Sequence, residues 1–154
     1  MALFLFATHS INPIHEAASG FKSRKVPVIQ QMSEKIEIKW LSEPEEHNYS
    51  AVQSYLSLIY DEQTATSYVS KLKRASISGF KAKDIFRASG LSLLGISNAH
   101  VEKDQKKIES GRELSLLLLI RDSASGKVII ADGYHRLCAV YSCDEDAMIP
   151  CKIA

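Results

Sequence analysis

Apolar and polar positions change period several times along this chain. "KIEIKWL", residues 35 to 41, alternates Ile36, Ile38 and Trp40 with Glu37 and Lys39, the period of a half-buried strand. The proline and acidic residues of "SEPEEHNYS" then form a loop or a helix start. "AVQSYLSLIY" places Val52, Tyr55, Leu56 and Ile59 at helical spacing. "TATSYVSKLKRAS" predicts a second helix, with Tyr68, Val69 and Leu72 inward and Lys71, Lys73 and Arg74 where cations suit the helix dipole. "FKAKDIFRASGLSLL" predicts a short helix capped by Gly90, and "HVEKDQKKIESG" another closed by Gly111. "LSLLLLIRD" has the length of a buried strand, "SASG" turns the chain, and "KVIIAD" returns as the second arm of a hairpin. A helix "GYHRLCAVYS", the acidic loop "CDEDA" and a last strand "MIPCKI" follow.

These elements predict an α+β fold: a small mixed sheet with a β-hairpin and a phosphate-binding helix start, covered by N-terminal helices. Residues 1–31 show little sustained periodicity and are expected to be a poorly ordered extension, with "VPVIQ" as an alternative added edge strand. Residues 32–154 are expected to form one domain, in which 32–99 supply the first strand and the helices and 100–154 the motif-bearing core.

Composition narrows the class. The 154 residues are 45% hydrophobic and 24% charged, with a net charge of +1, which suits a globular domain and gives no global field toward nucleic acid or anionic lipid. No apolar run approaches the roughly 20 residues that span a bilayer. "ALFLFA", at residues 2 to 7, is too short and lacks preceding basic residues. The expectation is a cytoplasmic protein with no membrane partner. Cys138, Cys143 and Cys151 form no Cys-x-x-Cys pair, so they read as reduced thiols, and no metal site is predicted.

The candidate chemistry lies where "KVIIAD" meets "GYHRLCAVY". Gly133 at a strand end lets the backbone turn and a ligand approach the main chain. The helix that follows offers free N–H groups at its positive end, an anion site. Arg136 can add bidentate donors to a phosphate, and His135 a donor or a proton-transfer group. Asp132 has two readings: an N-cap for residues 134 and 135, or a magnesium ligand or general base. Tyr134 either stacks on a base or packs.

The segment from about His100 to Ile153 resembles the ParB/sulfiredoxin superfamily. ParB partition proteins carry a Gly-Glu-Arg-Arg-x-x-Ala box, and Gly133, Arg136 and Ala139 fall at its glycine, last arginine and alanine, with His135 at its first arginine. Sulfiredoxins have Gly-Cys-His-Arg, which Gly133, His135 and Arg136 also match. The resemblance implies binding of nucleotide phosphates by Gly133, Tyr134, His135 and Arg136. Tyr134 stands at the sulfiredoxin catalytic cysteine, so cysteine-dependent sulfinic-acid reduction is not expected. No helix-turn-helix follows the last strand, so sequence-specific DNA reading is not expected either. A third branch of the superfamily, the nucleotide-dependent free serine kinases, implies carboxylates near the phosphates; Glu102 and Asp104 are available upstream, with solvated helix-face charges as the alternative.

Two functional readings stand. In the first the chain is a nucleotide-binding protein acting as an NTP hydrolase or small-molecule phosphotransferase, with a nucleoside di- or triphosphate and Mg2+, and Asp132, His135 and Glu102 as catalytic residues. In the second it is a nucleotide-switched adaptor with a small-molecule or protein partner, or a ParB-like nucleic-acid module. The support for the latter is the run "KLKRASISGFKAKDIFR", with Lys71, Lys73, Arg74, Lys81, Lys83 and Arg87. Arg136→Ala is expected to abolish nucleotide binding and leave folding largely intact.

Overall fold

Two amphipathic helices come first in the computed structural model, which describes residues 36–154. They are α1 (Glu46–Leu56) and α2 (Glu62–Arg74). β1 (Ile77–Lys81), α3 (Ala82–Ser89) and α4 (Ala99–Glu109) follow, then β2 (Leu117–Asp122), β3 (Lys127–Asp132), α5 (Tyr134–Cys143) and β4 (Met148–Ile153). The sheet order is β1-β4-β2-β3. β2 and β3 form the antiparallel hairpin and β1 pairs antiparallel with β4, while β4 runs parallel to β2. The fold is therefore α+β with a small mixed four-stranded sheet.

Strand alternation divides the core in two. Leu117, Leu119, Ile130, Ile149 and Cys151 face α3, α4 and α5, where Ile85, Val101, Ile108 and Leu137 meet them. Leu118, Ile120 and Ala131 point the other way, against Val52 and Leu56 of α1 and Ala65 and Leu72 of α2. The N-terminal helices thus cover the second face of the sheet, giving three layers.

Local chemistry fixes the ends of these elements. The Asp61 carboxylate caps α2, accepting from the Thr64 amide at 2.9 Å and the Thr64 hydroxyl at 2.7 Å, a cap worth about 1 kcal/mol. Gly90 closes α3 in the left-handed region, as its position predicts. α1 is pinned to the segment before β2 by a buried polar contact: the Ser115 hydroxyl donates to Asn48 Oδ1 at 2.6 Å, and Asn48 Oδ1 also accepts from the Glu45 amide at 3.0 Å.

Several expectations need correction. "KIEIKWL" contributes only a bridge between Trp40 and Leu114 within residues 36 to 41, and Ile36 is 51% exposed. The first helix begins at Glu46, within the stretch read as a loop or a helix start, but it stops at Leu56, and Tyr55 and Ile59 lie on the surface. Phe80 and Lys81 belong to β1, a strand the periodicity did not predict, so the following helix starts at Ala82. Residues 1–31, including "VPVIQ", lie outside the described residues.

Candidate functional site

The turn from β3 into α5 is made by Gly133, at φ 103°. A Cβ there would lie 2.8 Å from Leu117 Cγ and 3.1 Å from Arg136 Nη2, so the backbone packs directly on β2 at a position only glycine fills. No side chain caps this helix end, and the first amides of α5 keep the donor character expected of an open helix start.

Asp132 is not the cap. Its carboxylate reaches forward one turn and pairs with Arg136. Arg136 also donates from Nη2 to the Leu116 carbonyl at 3.3 Å, and its buried Nε has no partner among the described residues. The guanidinium is folded beneath the turn, with 14% of the side chain exposed against 18% for Asp132. Arg136 thus makes contacts within the protein as well as lining the cleft, so its removal is now expected to disturb the fold.

Tyr134 packs against the core and donates its hydroxyl to the Ser92 carbonyl, holding the loop that leads into α4. It does not line the cleft. Glu102 does not line it either; it is exposed and pairs with Lys106 at 2.6 Å.

The cleft beside Gly133, about 240 Å³, is walled by three helices. α4 lends the stripe His100, Lys103, Asp104 and Lys107, spaced i, i+3, i+4, i+7 along one face. α5 and the turn lend Asp132, Gly133, His135 and Arg136, and the start of α1 lends Glu45 and His47. His47, His100 and His135 are each the second residue of their helix. Three helix N-termini therefore deliver an imidazole to one cleft, and each also brings the positive end of its dipole. The rings of His100 and His135 lie 4.9 Å apart. Burial holds His135 below the ordinary histidine range, aided by His100, while Asp104 opposes the shift.

The fixed charges nearly cancel. Lys103, Lys107 and Arg136 face Glu45, Asp104 and Asp132; Asp104 is bound to Lys107 at 3.0 Å and Asp132 to Arg136. Lys103 makes no ion pair among the described residues. A wider groove of about 640 Å³ adjoins it through Glu45 and Lys107, running past Lys39, Leu41 and Arg112.

Among the described residues, no group of three or more His, Cys, Asp or Glu is arranged to hold a metal ion, and no helix is long and apolar enough to cross a membrane. Four side chains of the basic run at residues 71 to 87 are engaged in ion pairs. Lys73 pairs with Glu46, Lys81 and Lys83 share Asp146, and Arg87 pairs with Asp84.

His47, His100, Lys103 and Lys107 carried no functional expectation from the sequence. The α4 stripe was visible in "HVEKDQKK", yet it has the spacing of any solvated helix face. In comparisons with known proteins, no family model, no curated sequence and no solved structure matches the chain.

Proposed function

We propose that this chain binds the phosphate end of a nucleotide in the cleft at the start of α5. One observation carries the reading: three helix N-termini each place a histidine in a single cleft, beside an uncapped glycine turn and Lys103, which makes no ion pair among the described residues. Helix amides, imidazoles and a free ammonium are the donors a phosphate recruits. The volume accommodates phosphates, and the adjoining groove leaves room for sugar and base. The ParB/sulfiredoxin resemblance of Gly133, His135 and Arg136 agrees with this assignment.

Geometry favours binding over catalysis. The three carboxylates expected or available for magnesium or base chemistry, Asp132, Glu102 and Asp104, each face a cation within the protein. The cleft residues do not fit a resident magnesium site, and any magnesium would arrive with the nucleotide.

The test is calorimetric titration of the chain with ATP, ADP, CTP, GTP and inorganic phosphate, each with and without magnesium, beside Lys103→Glu and His47→Ala. Both residues are exposed, so these variants should keep the fold. Saturable binding weakened about tenfold or more by Lys103→Glu supports the reading. Absence of binding by every nucleotide and by phosphate overturns it. Steady phosphate release from a bound nucleotide would restore the enzymatic reading.

A further inference from the structure

A second cavity lies at the other end of the hairpin. It measures about 290 Å³ and is walled by Phe80, Ile85, Ala88, Leu119, Val128 and Ile153, between α3 and the sheet. Such a volume is at the small end of those that hold organic ligands, and an apolar wall with one or two placed polar groups is their usual character.

The polar groups are Asp84 and Arg121. Strand alternation explains how an arginine comes to face an apolar wall. Leu117 and Leu119 point toward α3, and Arg121, two residues on, takes the same face, opposite Val128 across the hairpin. The Asp84 carboxylate is held by Arg87 at 3.2 Å. Arg121 has no carboxylate partner among the described residues.

We propose that this cavity is a binding site for a small amphipathic carboxylate, its apolar body under α3 and its carboxylate paired with Arg121. The commitment to an anion rests on charge complementarity: Arg121 makes no ion pair among the described residues, whereas the Asp84 carboxylate is engaged by Arg87. A guanidinium offers a carboxylate two parallel donors, a geometry that a neutral head group cannot use. This site is independent of the phosphate cleft, with which it shares no lining residue.

The experiment titrates the full chain with octanoate, 1-octanol and octylamine, which share one apolar body and differ in head group. The variants are Arg121→Gln, at an exposed position, and Ala88→Leu, which fills the cavity while keeping helix propensity. Octanoate should saturate at one equivalent and bind about tenfold or more tightly than 1-octanol. Arg121→Gln should erase that difference, and Ala88→Leu should abolish binding of all three with thermal unfolding still cooperative. Equal affinity for octanoate and 1-octanol, binding unchanged in either variant, or no binding of octanoate would overturn the proposal.

Discussion

The Asp132–Arg136 pair can be tested by breaking it from either side. Both side chains retain under a fifth of their exposure, which puts the pair nearer the buried limit, where removing one partner costs about 3–5 kcal/mol, than the surface limit of about 0–1 kcal/mol. Arg136→Ala also deletes the hydrogen bond to the Leu116 carbonyl, worth about 1 kcal/mol. Allowing for the remaining solvent, we expect Arg136→Ala to destabilise the fold by about 2–4 kcal/mol. Asp132→Ala should cost somewhat less, because the guanidinium keeps its carbonyl acceptor. The double variant should fall short of the sum by about 1–3 kcal/mol, since each single change strands the other charge. Urea unfolding followed by circular dichroism, with the denaturant slope checked for constancy, measures all three. An Arg136→Ala variant within about 0.5 kcal/mol of the parent, or an additive cycle, would refute the reasoning. The prediction also bears on the functional test, because ligand lost in Arg136→Ala would not separate a missing contact from a deformed turn.

Other consequences can be checked separately. Gly133→Ala combines a positive φ with a Cβ 2.8 Å from a fully buried leucine; strain and overpacking of about 1–3 kcal/mol each should lower the melting temperature by at least about 5 °C, and a shift under about 1 °C would contradict the packing described. Since the folded pKa of His135 lies below its ordinary 6.5, the unfolded chain binds the proton first; stability should fall as pH drops from about 6.5 to the folded pKa and level off below it. His135→Gln should flatten that dependence, and an unchanged profile would show that His135 is not its source. A phosphate in the cleft should raise this pKa, so binding enthalpies near pH 6.5 should vary with buffer ionisation enthalpy as a proton is taken up, and buffer-independent enthalpies would argue against imidazole contact. Cys143 is exposed whereas Cys138 and Cys151 are buried, so a thiol reagent at pH 7.5 should label one site quickly and three after denaturation; two fast sites would contradict the burial.

The parts of the fold legible in the sequence were those whose signal is local. The hairpin and the junction at Gly133 stand out because a run of β-branched residues ends in a turn and a helix begins. β1 was hidden because "ISGFK" contains a glycine and is mostly exposed; its strand character comes from pairing with β4, more than 65 residues away. "KIEIKWL" erred in the other direction: its alternation is genuine, but among the described residues 36 to 41 the pairing is a single bridge from Trp40 to Leu114, outside any strand. The start of α1 lies in an acidic stretch that reads as either a loop or a helix start, and the contact that holds it comes from Ser115, in a distant part of the chain. The site divides in the same way. Gly133, His135 and Arg136 carry a local pattern, but the arrival of His47 depends on α1 crossing from the opposite layer, which no spacing within the chain encodes.

The position of β4 between β1 and β2 has a kinetic consequence. Of the described strands it is the last made, yet it joins the other two inner and outer partners, so until it docks β1 has no neighbour and the sheet is only a hairpin. A growing chain can close α1 and α2 on the hairpin, but β1 has no strand to pair with, and the face of Ile149 and Cys151 is missing from the core, until β4 emerges. Folding should therefore be limited by a single long-range closure, slow for a protein of this size, and any shortened product lacking β4 should be a target for chaperones and proteases instead of a partly working domain.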